Sequence, residues 1–410
     1  MLTFENKLNN YAKLIIQKGI NVQEGQLLII SCSIENKDFA LKLLSNAYEV
    51  GAKHVHINWQ CDEATRLYYE TCKDEYFDYY PEFMKAMYET SDMENAAYLS
   101  VKGVDPDLLK GIDSTKVARA SKAAGLKLKN HHDHVSASKA TWCVAQVPSL
   151  KWANKMFPTL DDSAALSSLY DLIFSATRTD LEDPVAAWSE HLNKLENRVK
   201  HLNSLDIKTL HYKSSTMDIT LDLPEGALWQ GGGENSQNGI YFVANMPTEE
   251  VFTMPKRNSV NGTLKSTMPL NYRGSLIEDF TLEFKDGKVV SYSAKTGEES
   301  LKGLLETDEG AAYLGEVALV PFSSPINQTG KIFYSTLFDE NASCHFALGS
   351  CYTTNIVNGD NLSDDELLAK GGNVSITHVD FMVGSNDLNI TATTKDNKNI
   401  LIFENGEFTF

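Results

Sequence analysis

The hydrophobic period of this chain changes once, close to residue 205, and that change constrains the fold more than any other feature. Before it, helical spacings alternate with short apolar runs. Phe4, Leu8, Tyr11 and Ile15 recur at helical spacing, and Gly19 offers a stop. Leu27-Leu28-Ile29-Ile30 is the continuous run expected of a strand covered on both faces. Phe39, Leu43, Ala47 and Val50 mark a second helix ended by Gly51, and Val55 and Ile57 open another strand. This order predicts a right-handed parallel crossover. Residues 97–101 and 141–147 read as further strands of the same sheet. Then comes a long helix: Asp183 caps it, Pro184 fits its first turn, and Trp188, Leu192, Leu195, Val199 and Leu202 recur every three or four residues. Beyond it the period becomes two. Met217, Ile219, Leu221 and Leu223 alternate with polar residues, and Phe280, Leu282 and Phe284 run into the hairpin signal Asp286-Gly287. Asn-Gly pairs begin at Asn238, Asn261, Asn358 and Asn405. The expectation is an α/β N-terminal domain with a mostly parallel sheet over 1–205, followed by an α+β, β-rich C-terminal catalytic domain over 206–410.

Composition narrows the function. The chain is 42% hydrophobic, enough for a large core, and carries a net charge of −18 without a Lys/Arg stripe, which argues against a nucleic-acid partner. No apolar run is long enough to span a bilayer, and Met1-Leu2-Thr3-Phe4-Glu5-Asn6-Lys7 lacks the basic and apolar regions of a secretory signal. Six scattered cysteines without a C-x-x-C pair fit reduced thiols in the cytoplasm. No G-x-G-x-x-G follows the first strand, and no G-x-x-x-x-G-K-[ST], G-x-S-x-G or H-E-x-x-H occurs.

The residues able to carry chemistry lie in the second half: Glu249-Glu250, Glu316, Glu340, His345, Tyr352, and His378-Val379-Asp380. On a strand, His378 and Asp380 point to one face and suit one metal, although an H-x-D pair is also common on surfaces. Glu316 interrupts the apolar stretch 314–321; a carboxylate buried there needs a metal, a proton or an internal salt bridge. The segment 340–352 is rich in small residues and would let His345 and Tyr352 point into one cavity. Four Glu, two His and one Asp are about what two adjacent divalent ions require, and imidazole with carboxylate suits zinc, cobalt or manganese. The tract His131-His132-Asp133-His134 reads as a solvated loop, with adventitious metal binding second. Gly231-Gly232-Gly233 reads as a turn or a site of close backbone packing.

Taken in order, Asn245-Met246-Pro247-Thr248-Glu249-Glu250-Val251-Phe252-Thr253, Gly315-Glu316, His345-Phe346-Ala347-Leu348-Gly349 and Thr377-His378-Val379-Asp380-Phe381-Met382 resemble the thermophilic-type metalloaminopeptidases over essentially the whole chain. The resemblance implies an exopeptidase acting on peptides with a free N-terminus, two divalent metal ions per subunit, and a homodimer. It suggests Glu250, Glu316, Glu340, His345, His378 and Asp380 as ligands, with Glu316 bridging, and it matches Tyr352 to a site tyrosine. Glu250 is the candidate general base and Tyr352 the candidate oxyanion donor. Glu249 is a candidate for holding the substrate amine. The competing readings are a two-metal phosphoesterase and a non-catalytic metal- or peptide-binding protein.

Overall fold

The apolar run 27–30 becomes an interior strand of a parallel sheet, between Ala97–Lys102 and His54–Gln60. In the computed structural model, which describes residues 2–103, 105, 107–272 and 275–410, Leu28, Ile29 and Ile30 are all buried. The chain forms two compact units, 1–190 with 233–247, and 191–232 with 248–410.

In the N-terminal unit five strands pair in the order Asn245–Met246, Trp142–Gln146, Ala97–Lys102, Leu27–Ser33, His54–Gln60, all parallel. The expected helices are present. Thr3 caps Phe4–Leu14, whose last turn continues as a π-helix over Ile15–Gly19, and Lys37–Glu49 packs on the first strand. Tyr11 of the first helix stacks on Phe39 of the second, with ring centroids 5.4 Å apart. One face of the sheet is fully apolar: Leu28, Ile30, Cys32, Leu99, Val101, Cys143 and Ala145 are buried. The other departs from the usual apolar parallel sheet. There Ile29 and Ser31 stand in register with His56 and Asn58 on one side and with Tyr98 and Ser100 on the other. The His131 tract is not a loop. It forms the helix Lys129–Ser136, in which His131 is only 8% exposed.

The long helix Pro184–Ser204 begins as read, with the Asp183 carboxylate accepting the backbone N–H of Ala186 at 3.0 Å. Among the described residues the C-terminal unit then holds three sheets, the smallest being the pair Leu270–Tyr272 and Ser275–Ile277. One has eight strands, antiparallel throughout, from Lys288–Ser293 at one edge to Glu407–Phe408 at the other. Asp286 and Gly287 both take positive φ, which gives the right twist to join Thr281–Lys285 to Lys288–Ser293. Asn405-Gly406 does the same for the last hairpin. The Asn261-Gly262 pair is not a turn: it opens the strand Asn261–Lys265, where a Cβ on Gly262 would lie 2.1 Å from the carbonyl oxygen of Asp218. The five-stranded sheet runs His378–Met382, His345–Gly349, Leu314–Leu319, Val251–Thr253, Gln230–Gly231. Gly231 allows the close packing expected of its glycine run, since a Cβ there would meet the Glu250 carbonyl at 2.5 Å. Alternate residues of this sheet, Val317, Leu319, Phe346, Leu348 and Phe381, join Ile219, Leu221, Phe280 and Leu282 of the large sheet in one apolar core.

Candidate metal centre

With one face of the five-stranded sheet in the core, the pleat sends the alternate residues to the other face. Glu316, Ala347 and Asp380 stand in register across three strands, and one step along, Ala318 stands beside His345 and Gly349 beside His378. Large metal-binding types thus alternate with Ala or Gly on neighbouring strands. The small residues leave the room into which the large ones lean. Gly315 sits at a β-bulge just before Glu316. A Cβ there would lie 2.4 Å from the Gly349 carbonyl, so glycine is required for the bulge that re-aims Glu316.

The side chains converge. His345 Nε2 lies 3.1 Å from Glu250 Oε2 and 3.5 Å from Glu316 Oε1. His378 Nε2 lies 3.2 Å from Asp380 Oδ1 and 3.7 Å from Glu316 Oε2. Two groups of potential ligand atoms result, Glu250–Glu316–His345 and Glu316–His378–Asp380, each within 4.8 Å, and Glu316 belongs to both. Among the described residues no Lys or Arg pairs with Glu250, Glu316, Glu340 or Asp380, so the salt-bridge reading of Glu316 leaves it only its two histidines.

The histidines are oriented from behind. His345 Nδ1 lies 3.2 Å from the carbonyl of Ser343, and His378 Nδ1 lies 2.7 Å from that of Ser350. Nδ1–H donating to a carbonyl leaves Nε2 directed at the carboxylates, as the proton donor to them in the metal-free protein and as the atom a metal would take. Without a cation this cluster is electrostatically costly. Burial, with the Asp380 and Glu250 charges, lifts Glu316 above the carboxylate range despite its histidines. Burial and then Asp380 and Glu250 lift Glu340 well above it. Burial opposes a charge on each imidazole, yet the carboxylates win: His345 is held well above its ordinary value and His378 is raised to about 10. Asp380 is brought below its ordinary range by His378 against the effect of burial. Protons occupy here the role that cations would take. The donor set, four carboxylates with two Nε2 atoms, fits two divalent ions.

The remaining expected residues divide. Glu340 is half-buried in the turn Glu340–Ala342 and adds its charge to the cluster without belonging to either tight group. Tyr352 is 49% exposed, with its ring 4.9 Å from that of His378 and 5.8 Å from that of Phe252. Lost hydration and the charges of Glu316, Asp380, Glu340 and Glu250 raise its hydroxyl well above the usual range, so it stays a proton donor. Glu249 and Glu250 part company because neighbours in extended chain point oppositely. Glu250 faces His345, whereas Glu249 Oε2 lies 3.6 Å from His191 Nε2 and close enough to Arg198 to favour its charge.

One residue that the sequence did not flag links two parts of the cluster. Asn341 is fully buried; its Oδ1 accepts the backbone N–H of Glu249 at 2.7 Å and its Nδ2 donates to the Leu337 carbonyl at 3.0 Å. It ties the segment carrying Glu250 to the turn carrying Glu340. An Asn beside an Asp-Glu pair gives no signal of this in one sequence, and backbone carbonyls such as those of Ser343 and Ser350 give none at all.

Comparison with known proteins gives the family of the chain. The model of the thermophilic metalloprotease (M29) family matches residues 4–408. Aminopeptidase AmpS of Bacillus subtilis is 46% identical over 410 residues, the whole of both chains, and Aminopeptidase 2 of Geobacillus stearothermophilus is 45% identical over 100% of this chain and 99% of its own. The solved structure of wild-type AmpT from Thermus thermophilus superposes with a TM-score of 0.93 at 36% identity, covering all of both chains. On these whole-length matches, the chain belongs to the thermophilic metalloprotease (M29) family.

Proposed function

We propose that this enzyme is an aminopeptidase that hydrolyses the first peptide bond of unblocked peptides with water activated between two divalent ions. That it is an aminopeptidase of the M29 family rests on the family match and on relatives with that activity in their names. The two-ion reading rests chiefly on one observation: the two oxygens of Glu316 face different histidines, each of which has its own further carboxylate. In this reading Glu250, Glu316 and His345 hold one ion, Glu316, His378 and Asp380 the other, and Glu340 completes the set, all within 206–410. Zinc, cobalt or manganese suits the donors. Ions held there would supply a lowered pKa for bound water and polarisation of the scissile carbonyl.

The protein's own groups do the rest. Glu250, through an oxygen not taken by an ion, accepts the proton of the attacking water and delivers it to the leaving amine. Tyr352, kept protonated and partly exposed beside His378, donates to the tetrahedral oxyanion. Glu249, engaged on the opposite side with His191, is a weaker candidate for the substrate amine than the sequence suggested. We retain the homodimer and the cytoplasmic setting on the family resemblance; none of the described helices is long and apolar enough to cross a membrane. The phosphoesterase and binding-protein readings gain no support from the relatives.

The test is amino-acid release from paired free and N-acetylated peptides, using metal-depleted enzyme and enzyme reloaded with zinc, cobalt or manganese. The expected result is metal-dependent release from free peptides alone. Equal cleavage of acetylated peptides removes the exopeptidase reading, and full activity with a single bound ion removes the two-ion one.

A further inference from the structure

A cavity of about 510 Å³ is lined entirely by residues of the N-terminal unit. Its floor is the polar face of the parallel sheet, and its wall includes the helix Lys129–Ser136 and Tyr88 of the helix Glu82–Met93. It lies over the face of the strands that flank the sheet's topological reversal, from Tyr98 and Trp142 near their amino ends to Lys102 at a carboxyl end. The first strand connects to a partner on one side and the third strand lies on its other side, so the chain reverses direction between Leu27–Ser33 and Ala97–Lys102. In open parallel sheets that reversal leaves a crevice outside the carboxyl ends of the two strands, where ligands bind. Ser31, Ser100 and Lys102, from the carboxyl halves of those strands, line this cavity.

The lining has a definite chemistry. Among the described residues it contains no Asp or Glu, in a chain with 55 acidic and 37 basic residues. It is drawn instead from Ser31, Ser100, Ser136, Lys102 and His132, and Lys102 and His132 are exposed. Among the described residues the side chains of Ser100 and Lys102 make no hydrogen bond or ion pair, and the buried Trp142 Nε1 has no acceptor. Aromatic rings supply much of the remainder: Tyr88 stacks on His131 at 4.5 Å, and Tyr98 meets His131 edge-on at 4.7 Å. That wall is fixed, because the Asp92 carboxylate accepts from Tyr98 Oη at 2.5 Å and lies 3.0 Å from His131 Nδ1. A cavity of this volume with rings, hydroxyls and one unpaired cation suits a flat anionic molecule. The turn after the first strand, Ile34–Asn36, has no glycine, so a backbone cradle for a diphosphate is missing.

We propose that the N-terminal unit is a second binding site, at the sheet's reversal point, for a small organic carboxylate bearing a planar ring. The carboxylate meets Lys102 and the Ser100 hydroxyl, and the ring lies among Tyr88, Tyr98 and Trp142. This proposal stands independently of the metal centre.

Calorimetric titration of the full-length protein with phenylacetate and with benzylamine tests it, in wild type, Lys102→Gln, Ser100→Leu and Glu316→Gln. Circular dichroism confirms that each variant is folded; Lys102 is exposed, so its variant keeps the test valid if Ser100→Leu misfolds. The expected result is saturable binding of phenylacetate to wild type and Glu316→Gln alike, weakened at least tenfold in Lys102→Gln, lost in Ser100→Leu, and no binding of benzylamine. Absence of phenylacetate binding, equal binding of benzylamine, or binding lost in Glu316→Gln but kept in Lys102→Gln would each overturn the proposal.

Discussion

Two polar clusters in this protein sit on opposite electrostatic footings. On the five-stranded sheet of the C-terminal unit, four carboxylates gather around two histidines with no Lys or Arg among the described ion pairs. In the N-terminal cavity, hydroxyls, an ammonium and rings gather with no carboxylate among the described residues of the lining. A buried or half-buried cluster is stable only when its charge is met. The first therefore has to be met by cations or protons, whereas Lys102 of the second is exposed to water and is available to the anion proposed above. The sign of the missing partner is written in the surplus of one kind of group.

The comparison breaks most readily at Glu316. Glu316→Gln removes the carboxylate shared by both groups, and activity should fall by about 10³-fold or more together with loss of bound metal, read by elemental analysis. Full metal content in that variant would mean that Glu316 is not the bridge. Tyr352→Phe should lower kcat by about 10²-fold with metal content unchanged, as loss of one oxyanion donor does. Unchanged kcat would end its proposed role. Asn341→Ala leaves the buried Glu249 N–H without an acceptor, a cost of about 1–3 kcal/mol. It should also weaken metal affinity by about 10–100-fold, measured by chelator competition. A loss of thermal stability with unchanged affinity would make Asn341 structural only.

Proton occupancy gives a further handle. Metal-free His378 is held at about 10 and His345 well above its usual value, so binding at pH 7–8 must release protons. Affinity should therefore rise with pH, by about tenfold per unit for each proton released. A pH-independent affinity would contradict the charged histidines. For the metal-free fold the sign is the reverse: a raised histidine stabilises below its unfolded value of about 6.5, and that contribution disappears as pH passes the folded value. Metal-free melting temperature should thus drop on the alkaline side, and metal-loaded protein should not follow it. The smallest effect expected is that of Glu249→Gln. Since Glu249 faces His191, kcat and KM should change by less than about threefold, against a loss of about 10²-fold or more for Glu250→Gln.

Much of this was legible in the sequence, for physical reasons. Period-two alternation fixed which face of His378–Met382 carries His378 and Asp380, and the interrupted apolar stretch marked Glu316 as a buried carboxylate. Asp286-Gly287 closed its hairpin as read. Other features have no one-dimensional trace. The return of 233–247 to the N-terminal unit depends on strand Asn245–Met246 pairing with Trp142–Gln146, a contact a hundred residues distant. The His131 tract looked like a polar loop because the partner that buries His131, Asp92, lies 39 positions away. Asn341 acts through a main-chain N–H, and no side-chain pattern advertises that.

The row Glu316–Ala347–Asp380 has a consequence for how this catalyst tolerates change. Neighbouring strands are spaced at about 4.8 Å by their hydrogen bonds, so the anchors of Glu316 and Asp380 stand roughly 10 Å apart with an alanine between them. The sheet works as a gauge block: the span is set by main-chain geometry and not by any loop. The loop after His345–Gly349 is bound to the same gauge, because its Ser350 carbonyl orients His378 and its Tyr352 ring lies 4.9 Å from that histidine. A side chain larger than alanine at 347 would crowd the gap that the gauge holds open.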